Sequence, residues 1–552
     1  MQNPFKSTNV KCWTNFHKTI EVEIQDLFTA GNPQGKTDLE KYNTMTNRIQ
    51  EFIQKQVIDK KTTMRAFGSG WSWSEVNTTT NGVMLDTSSN AASGLDLVID
   101  LNPEDVFSTY GGNFKHLVLS QCGKGIRKLN KYLEGTKRSL KTSGASDGQT
   151  IVGAMSTNTH GSNISFGSIH DFVVGLHIVT GPGQNDHVWI ERNSYKVVST
   201  HFLNSLNIGE SQFISDDDVF NSALVCFGSF GIIHGVLLET EEIYQMKLIR
   251  RTFPYNEKLV RLMSDLDIKG FGFPDYKDQE LCHLQVVFDP YDFDPEAITG
   301  TAIITYGYQI PKISTLPKSK YSWIRDLLIY YGYRLHKILT FFRKLFSGVP
   351  NDIVFVLSGI DKFAAMEIPQ MTALVLKLSY KNKTQQGTLG ELFTGNGPPS
   401  ALAGSSMCVD VSNIEKTLKI LKKFTPRDMP EFGGVFSLRF VKTSAATLAC
   451  TRFGKVTCVI EADGLLNGRT KAYYAKVWNE LRVANIPFTF HWGKLNDLEG
   501  KKIVSNSTQS YYVDDMYGPN VEIWKNARNK ILTNPDVRKL FINDTIKSWG
   551  LG

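Results

Sequence analysis

The stretch Ser143 to Ser162, SGASDGQTIVGAMSTNTHGS, constrains this chain more than any other. It is built mainly from glycine, alanine, serine and threonine, and it holds a single histidine, His160. Side chains this small cannot fill a core, while glycine lets the backbone approach another group closely. Such a segment becomes ordered by lying against something else, and hydroxyls grouped around one imidazole suit a polar ligand. A second glycine-rich stretch precedes it, RAFGSGWSWSE from Arg65 to Glu75. Successive backbone N–H groups in a Gly-Ser-Gly turn form a nest for a phosphate without help from Lys or Arg. Ser69, Ser72 and Ser74 add hydroxyl donors. No GKS or GKT follows, so the turn is not a P-loop, and it is not GxGxxG either.

With 552 residues the chain is long enough for two sizeable cores. An apolar content of 41% and a charged content of 21% describe a soluble globular protein. The net charge of +7 is spread along the chain and falls short of a nucleic-acid footprint. Seven scattered cysteines with no CxxC pair fit reduced core thiols, and the histidines show no metal-ligand spacing. The N-terminus lacks an apolar signal region and no window reaches 18 uninterrupted apolar residues, so a cytoplasmic location is expected.

Residues 38–58 place Leu39, Tyr42, Met45, Ile49, Phe52 and Ile53 at helical spacing. Short apolar runs bounded by Gly, Asn and Ser follow and read as strands and turns. The run GKGIRKLNKYLEG reads as a helix ending at Gly135. Near residue 245 the texture changes to alternating strands and helices, which suits a second α+β domain over 246–510. The aromatic and basic segment 318–347 reads as an interfacial helix in peripheral contact with a membrane, as a lid over an apolar substrate, or as a helix docking its aromatic face on the second domain.

Taken together, the two glycine-rich stretches resemble the vanillyl-alcohol-oxidase-type (PCMH-type) flavoproteins, with their GxGHS turn and later QTIaGaistgTHG segment. The likeness extends to Asp171–Leu176, to the GSFGII run Gly228–Ile233, and to the Trp13-Thr14-Asn15-Phe16 opening of the aldonolactone and alditol oxidase branch. Phe490-His491-Trp492-Gly493-Lys494 is similar to the HWGK motif of that branch, and Phe436–Phe440 to its E-x-R strand. The recognisable blocks span roughly residues 12 to 495. The chain departs from the pattern twice: Trp71 stands where many members carry the flavin-linking histidine, and Ser437 replaces the glutamate of E-x-R.

This resemblance implies an α+β protein of two domains: a PCMH-type FAD-binding domain over 1–245, and an α+β substrate (cap) domain with a central antiparallel sheet over 246–510. Residues 511–552 are expected to return to the FAD domain. The implied cofactor is FAD, held non-covalently because an indole has no nucleophilic nitrogen to offer. Its expected contacts are Phe67, Gly68, Ser69, Gly70, Trp71, Ser72 and Ser74 from the turn. Further contacts come from Gly144, Asp147, Thr150, Gly153, Ala154, Ser156, Thr157, Thr159, His160 and Gly161, with Ile232 and Ile233 on the adenine side. Arg439 and Lys494 are expected to hold the substrate oxygen, His491 or Lys494 to take its proton, and Ser437 and Trp492 to line the substrate pocket. The implied reaction oxidises an alcohol of a sugar-like polyol or aldonolactone. A lipid-linked or sterol-like alcohol is the alternative substrate, and a non-catalytic flavin-binding protein the alternative class.

Overall fold

The computed structural model describes residues 3–88, 94–274, 280–310, 382–395, 402–426, 432–499, 502–503 and 509–552. The segment 318–347 lies outside the described residues.

The N-terminal part holds two main sheets, besides the two-stranded pairs Cys12–Thr14 with Glu21–Glu23 and Arg138–Ser139 with Glu241–Glu242. In the first, β1 (Phe5–Ser7), β2 (Asp26–Ala30), β3 (Met64–Phe67) and β4 (Val83–Asp86) lie in the order β1-β2-β4-β3. Strands β3 and β4 are parallel, so the glycine turn leaves β3 at the same end as the chain leaves β4. The second sheet contains β5 (Val98–Asp100), β6 (Leu117–Gln121), β7 (Val173–Val179), β8 (His187–Glu191), β9 (Phe213–Ser215) and β10 (Ile232–Glu239). Their order is β9-β8-β7-β10-β6-β5. The central strands β7 and β10 are buried almost throughout, as their uninterrupted apolar runs require.

The helix expected over 38–58 forms as α1 (Asp38–Phe52), followed by a wider π-helical turn to Ile58. Thr37 and Glu40 close a capping box at its start, satisfying backbone N–H groups that have no partner inside the helix. Tyr42, Met45, Ile49 and Phe52 face inward, and the Tyr42 hydroxyl lies 2.9 Å from His177 Nδ1 on β7.

After residue 245 the chain builds one large antiparallel sheet. Its strands are β11 (Gln245–Pro254), β12 (Leu281–Phe288), β13 (Thr299–Ile310), β14 (Lys383–Gly387), β15 (Leu402–Asp410), β16 (Gly434–Lys442), β17 (Val456–Leu465) and β18 (Phe488–Phe490). They run in the order β14-β11-β13-β12-β16-β17-β15-β18, with the two-residue strand Phe293–Asp294 beside β13. Alternation along a strand sends successive side chains to opposite faces. One face carries Phe436, Leu438, Ile460 and Ala462 under the helix Gly468–Val483, whose Tyr474 hydroxyl donates to Ala462 O at 2.7 Å. The other face carries Gln285, Ser437, Arg439, Glu461 and Ser406, and it is this polar face that meets the glycine-rich segment.

That contact is made by backbone. The Ile164 N–H donates to Cys282 O, and the Lys442 N–H donates to Asn163 O. Ser162 bonds both neighbouring strands, donating to Leu284 O and accepting from the Phe440 N–H. The C-terminal helix Asn520–Ile531 crosses back to the N-terminal part, where the Trp524 indole N–H donates to Val225 O at 3.0 Å. Six of the seven cysteines are buried, as expected of core thiols, while Cys12 is exposed next to Glu21.

Candidate active site

The turn after β3 and the HWGK segment, more than 400 residues apart in sequence, are bonded to each other. The Trp73 N–H donates to Gly493 O at 2.8 Å, and the Ser74 hydroxyl donates to Trp492 O at 2.6 Å. Ser74 therefore gives its one proton to the protein itself. Lys494 Nζ lies 4.4 Å over the Trp73 ring, a cation–π contact that fixes the ammonium beside the turn. The turn takes its shape from Gly70, whose φ of +64° is a left-handed conformation that glycine adopts without a Cβ clash.

Trp71 is held by stacking. Its indole lies parallel to Phe16, ring centres 4.6 Å apart, and covers Gly148 so closely that a Cβ there would meet Trp71 Cζ2 at 2.1 Å. His17 fits between the two tryptophans, stacked on Trp73 at 4.5 Å. Burial and the nearby Lys494 charge push its pKa down to about 4, so the ring is neutral at neutral pH. Asn15 ties this loop to the turn by donating to Ser72 O at 2.8 Å. Among these residues, the sequence reading left out Asn15, Phe16 and His17 as site residues, although their Trp-x-Asn-Phe context marked the neighbourhood.

Behind these residues stands a charged cluster on the polar face of the large sheet. Arg439 Nε lies 2.6 Å from Glu461 Oε2, and Lys494 Nζ lies 3.9 Å from Glu461 Oε1 and 3.3 Å from Asp463. Burial opposes ionisation of Glu461, yet the charges of Arg439 and Lys494 outweigh it and hold the carboxyl below its ordinary range. Glu461 stands directly opposite Ser437 in the ladder, and Ser437 accepts from Gln285 Nε2 at 2.8 Å. Nothing in the spacing of the chain marks Glu461, because strand pairing alone brings it here.

His160 and His491 complete the cluster, ring centres 5.5 Å apart. Burial keeps both neutral at neutral pH, His160 down to about 4 and His491 well below the ordinary histidine value. Their hydrogen bonds differ. His491 Nδ1 accepts from the Gly493 N–H, so the neutral ring carries its proton on Nε2. His160 Nδ1 lies 2.9 Å from Gly161 O, a bond that requires the proton on Nδ1 and leaves a lone pair on Nε2. Arg439, His491 and Lys494 are thus brought together with His160. Trp492 is not: it is fully buried, its N–H donates to Leu448 O, and its ring stacks on Tyr517 and Phe227. It joins the C-terminal segment to the core and leaves no face for a substrate.

The remaining glycine-rich residues form a layered cradle. A Cβ on Gly68 would meet Thr150 Oγ1 at 1.9 Å, and one on Gly161 would meet Ser143 O at 2.2 Å. Thr150 caps the short helix Ile151–Ser156 through the Gly153 N–H. Gly144 lies against Thr159. Ala154, Ser156, Ile232 and Ile233 are buried, Thr157 bonds its own helix at Gly153 O, and Phe67 and Ser69 are half-buried. The Asp147 carboxylate is occupied by Arg127 through two bonds and by the Gly395 N–H. Several buried polar atoms in and under the cradle have no partner among the described residues, including Ser143 Oγ, Gln149 Oε1 and Trp73 Nε1. Arg65 also escaped the sequence reading. Its guanidinium is buried beside Gly228 and donates one bond to Phe227 O, while Nε and the second terminal nitrogen have no partner among the described residues. Burial lowers its pKa to about 9, so it stays charged at neutral pH.

Residues 50–186 match the FAD binding domain family. The chain is similar to the L-gulono-1,4-lactone dehydrogenase of Mycobacterium tuberculosis, 27% identical over 222 residues, 40% of this chain and 42% of the relative. It is 28% identical to the D-arabinono-1,4-lactone oxidase of Candida albicans over 201 residues, 36% of this chain and 31% of the relative. It is 30% identical to L-gulonolactone oxidase 3 of Arabidopsis thaliana over 141 residues, 25% of this chain and 20% of the relative. The chain therefore spans less than half the length of these curated relatives. Among solved structures, cholesterol oxidase from B. sterolicum superposes with a TM-score of 0.62 at 13% identity, covering 100% of this chain and 98% of that one. The likeness is one of fold. The residues present fit FAD: glycine-rich backbone packed too closely to admit side chains, hydroxyl and amide groups with no partner among the described residues, and a buried guanidinium with two nitrogens likewise unpartnered. Among the described residues no helix is long and apolar enough to cross a membrane.

Proposed function

We propose that the protein is an FAD-dependent oxidoreductase that oxidises an alcohol carbon of a sugar-like polyol or aldonolactone. In this reading residues 1–245 hold FAD, 246–510 bind the substrate, and 511–552 return to the FAD domain. The observation that carries it is the convergence of Arg439, Lys494 and Glu461 with His160 and His491 against the glycine-rich cradle. When bound, FAD supplies the acceptor for the hydride of the substrate C–H bond. The protein's own work is to hold the substrate hydroxyl and to manage its proton.

Arg439 and Lys494 face the substrate oxygen and stabilise negative charge as it develops there. The sequence offers His491 or Lys494 as proton acceptor. The hydrogen bond at His491 Nδ1 favours a donor role for its Nε2–H toward the substrate oxygen. His160 Nε2, with its lone pair, then takes the hydroxyl proton. Arg65 supplies a buried positive charge for the FAD pyrophosphate, and Trp71 leaves the flavin without a covalent bond. The charged and hydroxylated lining favours a polar substrate over a sterol-like one.

Flavin bleaching by a panel of polyols, aldonolactones and sterols tests this reading. Lys494→Ala and Arg439→Ala are expected to retain FAD and to lose reduction by substrate. Reduction at the parental rate would refute the assignment, and no bleaching by any member of the panel would favour the non-catalytic class.

A further inference from the structure

Glu461 does more than pair with an arginine. It sits opposite Ser437 on one side and Ser406 on the other, at the centre of the polar face, and its side chain is 6% exposed. Arg439 and Lys494 approach its two oxygens separately, Arg439 tightly at 2.6 Å and Lys494 loosely at 3.9 Å. Without that carboxylate, two cations 13% and 16% exposed on either side of it would make the site a strong anion trap. Asp463 stands 3.3 Å from Lys494 and is the nearer carboxylate to it, but its side chain is 40% exposed, so solvent screens its charge more than that of Glu461. Among the described residues, the carboxylate buried against both cations is Glu461. Ser437, on the strand that carries Arg439, offers only a hydroxyl that already accepts from Gln285.

We propose that Glu461 is a specificity-determining residue: placed across the ladder from Ser437, it neutralises the Arg439–Lys494 pair so that the site takes a neutral polyhydroxylated substrate and rejects one bearing a carboxylate. This rests on the alcohol-oxidising reading for the identity of the substrate, but not for the charge selection itself. A lactone or polyol brings hydroxyl groups that accept from the two cations and donate to the carboxylate. An open-chain sugar acid brings a second anion beside Glu461, and the two carboxylates repel at short range in a partly dry site.

The test measures binding without turnover. Gluconate and sulfate are titrated into the flavin-loaded protein, with perturbation of the flavin spectrum and the shift in Tm as readouts. The wild type is expected to bind both weakly, and Glu461→Gln to bind gluconate at least ~10-fold more tightly. The exchange Ser437→Glu with Glu461→Ser returns a carboxylate to the same pair of cations and is expected to restore weak binding. Unchanged gluconate affinity in Glu461→Gln overturns the proposal. If that variant does not fold, the exchange variant decides alone: folded and flavin-loaded yet binding gluconate ~10-fold more tightly than wild type, it also overturns it. Failure of every alcohol to reduce the flavin would remove the enzymatic reading and leave this result standing.

Discussion

The Trp71 indole lies flat on Gly148, leaving no room for a methyl group between them. The only glycine that matters to this contact is in the long small-residue segment, and the only large ring is in the short turn, so each stretch explains the other. Gly148→Ala is expected to push Trp71 off its stack on Phe16 and to cost about 1–3 kcal/mol. Urea unfolding and FAD titration by flavin fluorescence check this, and a variant with parental stability and affinity would show that the stack is not needed.

Acid precipitation of the wild-type protein is expected to release all of its flavin into the supernatant. Indole cannot supply the nucleophilic nitrogen that a flavin bond requires. The neutral ring of His17 lies beside Trp71 and is the one imidazole at that position. Peptide mass spectrometry would expose a flavin on His17, and finding it there would contradict contact-only binding.

Stability should fall as the solution is acidified from pH 6.5 toward 4. Burial holds His160 neutral to about 4, His234 and His283 to about 3, and keeps His177 and His491 well below their ordinary value. In that window the unfolded chain binds protons that the folded chain refuses, so each such histidine removes up to about 1.4 kcal/mol per pH unit. Glu191 and Glu241, pushed up to about 7 by burial, act in the opposite direction. They are outnumbered. A Tm that stays level from pH 7 to pH 5 would contradict this balance.

Asn543 clamps the end of the chain to the residues just after the turn. Its amide reaches the carbonyls of Glu75, Val76 and Thr78, while its Oδ1 caps the last helix. Asn543→Ala leaves buried carbonyls unpaired, at a cost of about 1–3 kcal/mol. With the turn proposed as part of the FAD cradle, the affinity for FAD should fall with stability. Loss of stability with unchanged FAD affinity would separate the C-terminal segment from the cradle.

Much of this protein is legible in its chain. The periodicity of 38–58, the unbroken apolar runs of Val173–Val179 and Ile232–Glu239, and the glycines of the two small-residue stretches are local properties, set by side-chain size, spacing and backbone freedom. They determine the helices, the buried strands and the cofactor cradle. Arg439, His491 and Lys494 were visible through their motifs. What the tertiary structure decided is which groups face one another. Register in the large sheet places Glu461 opposite Ser437, and the meeting of the turn with HWGK sets Lys494 over Trp73. Folding took Trp492 into the core, occupied Asp147 with Arg127, and buried Arg65 as a charge with two nitrogens unpartnered among the described residues. These outcomes depend on pairing between residues far apart in sequence and on the exclusion of water from them, and neither quantity exists until the chain has folded.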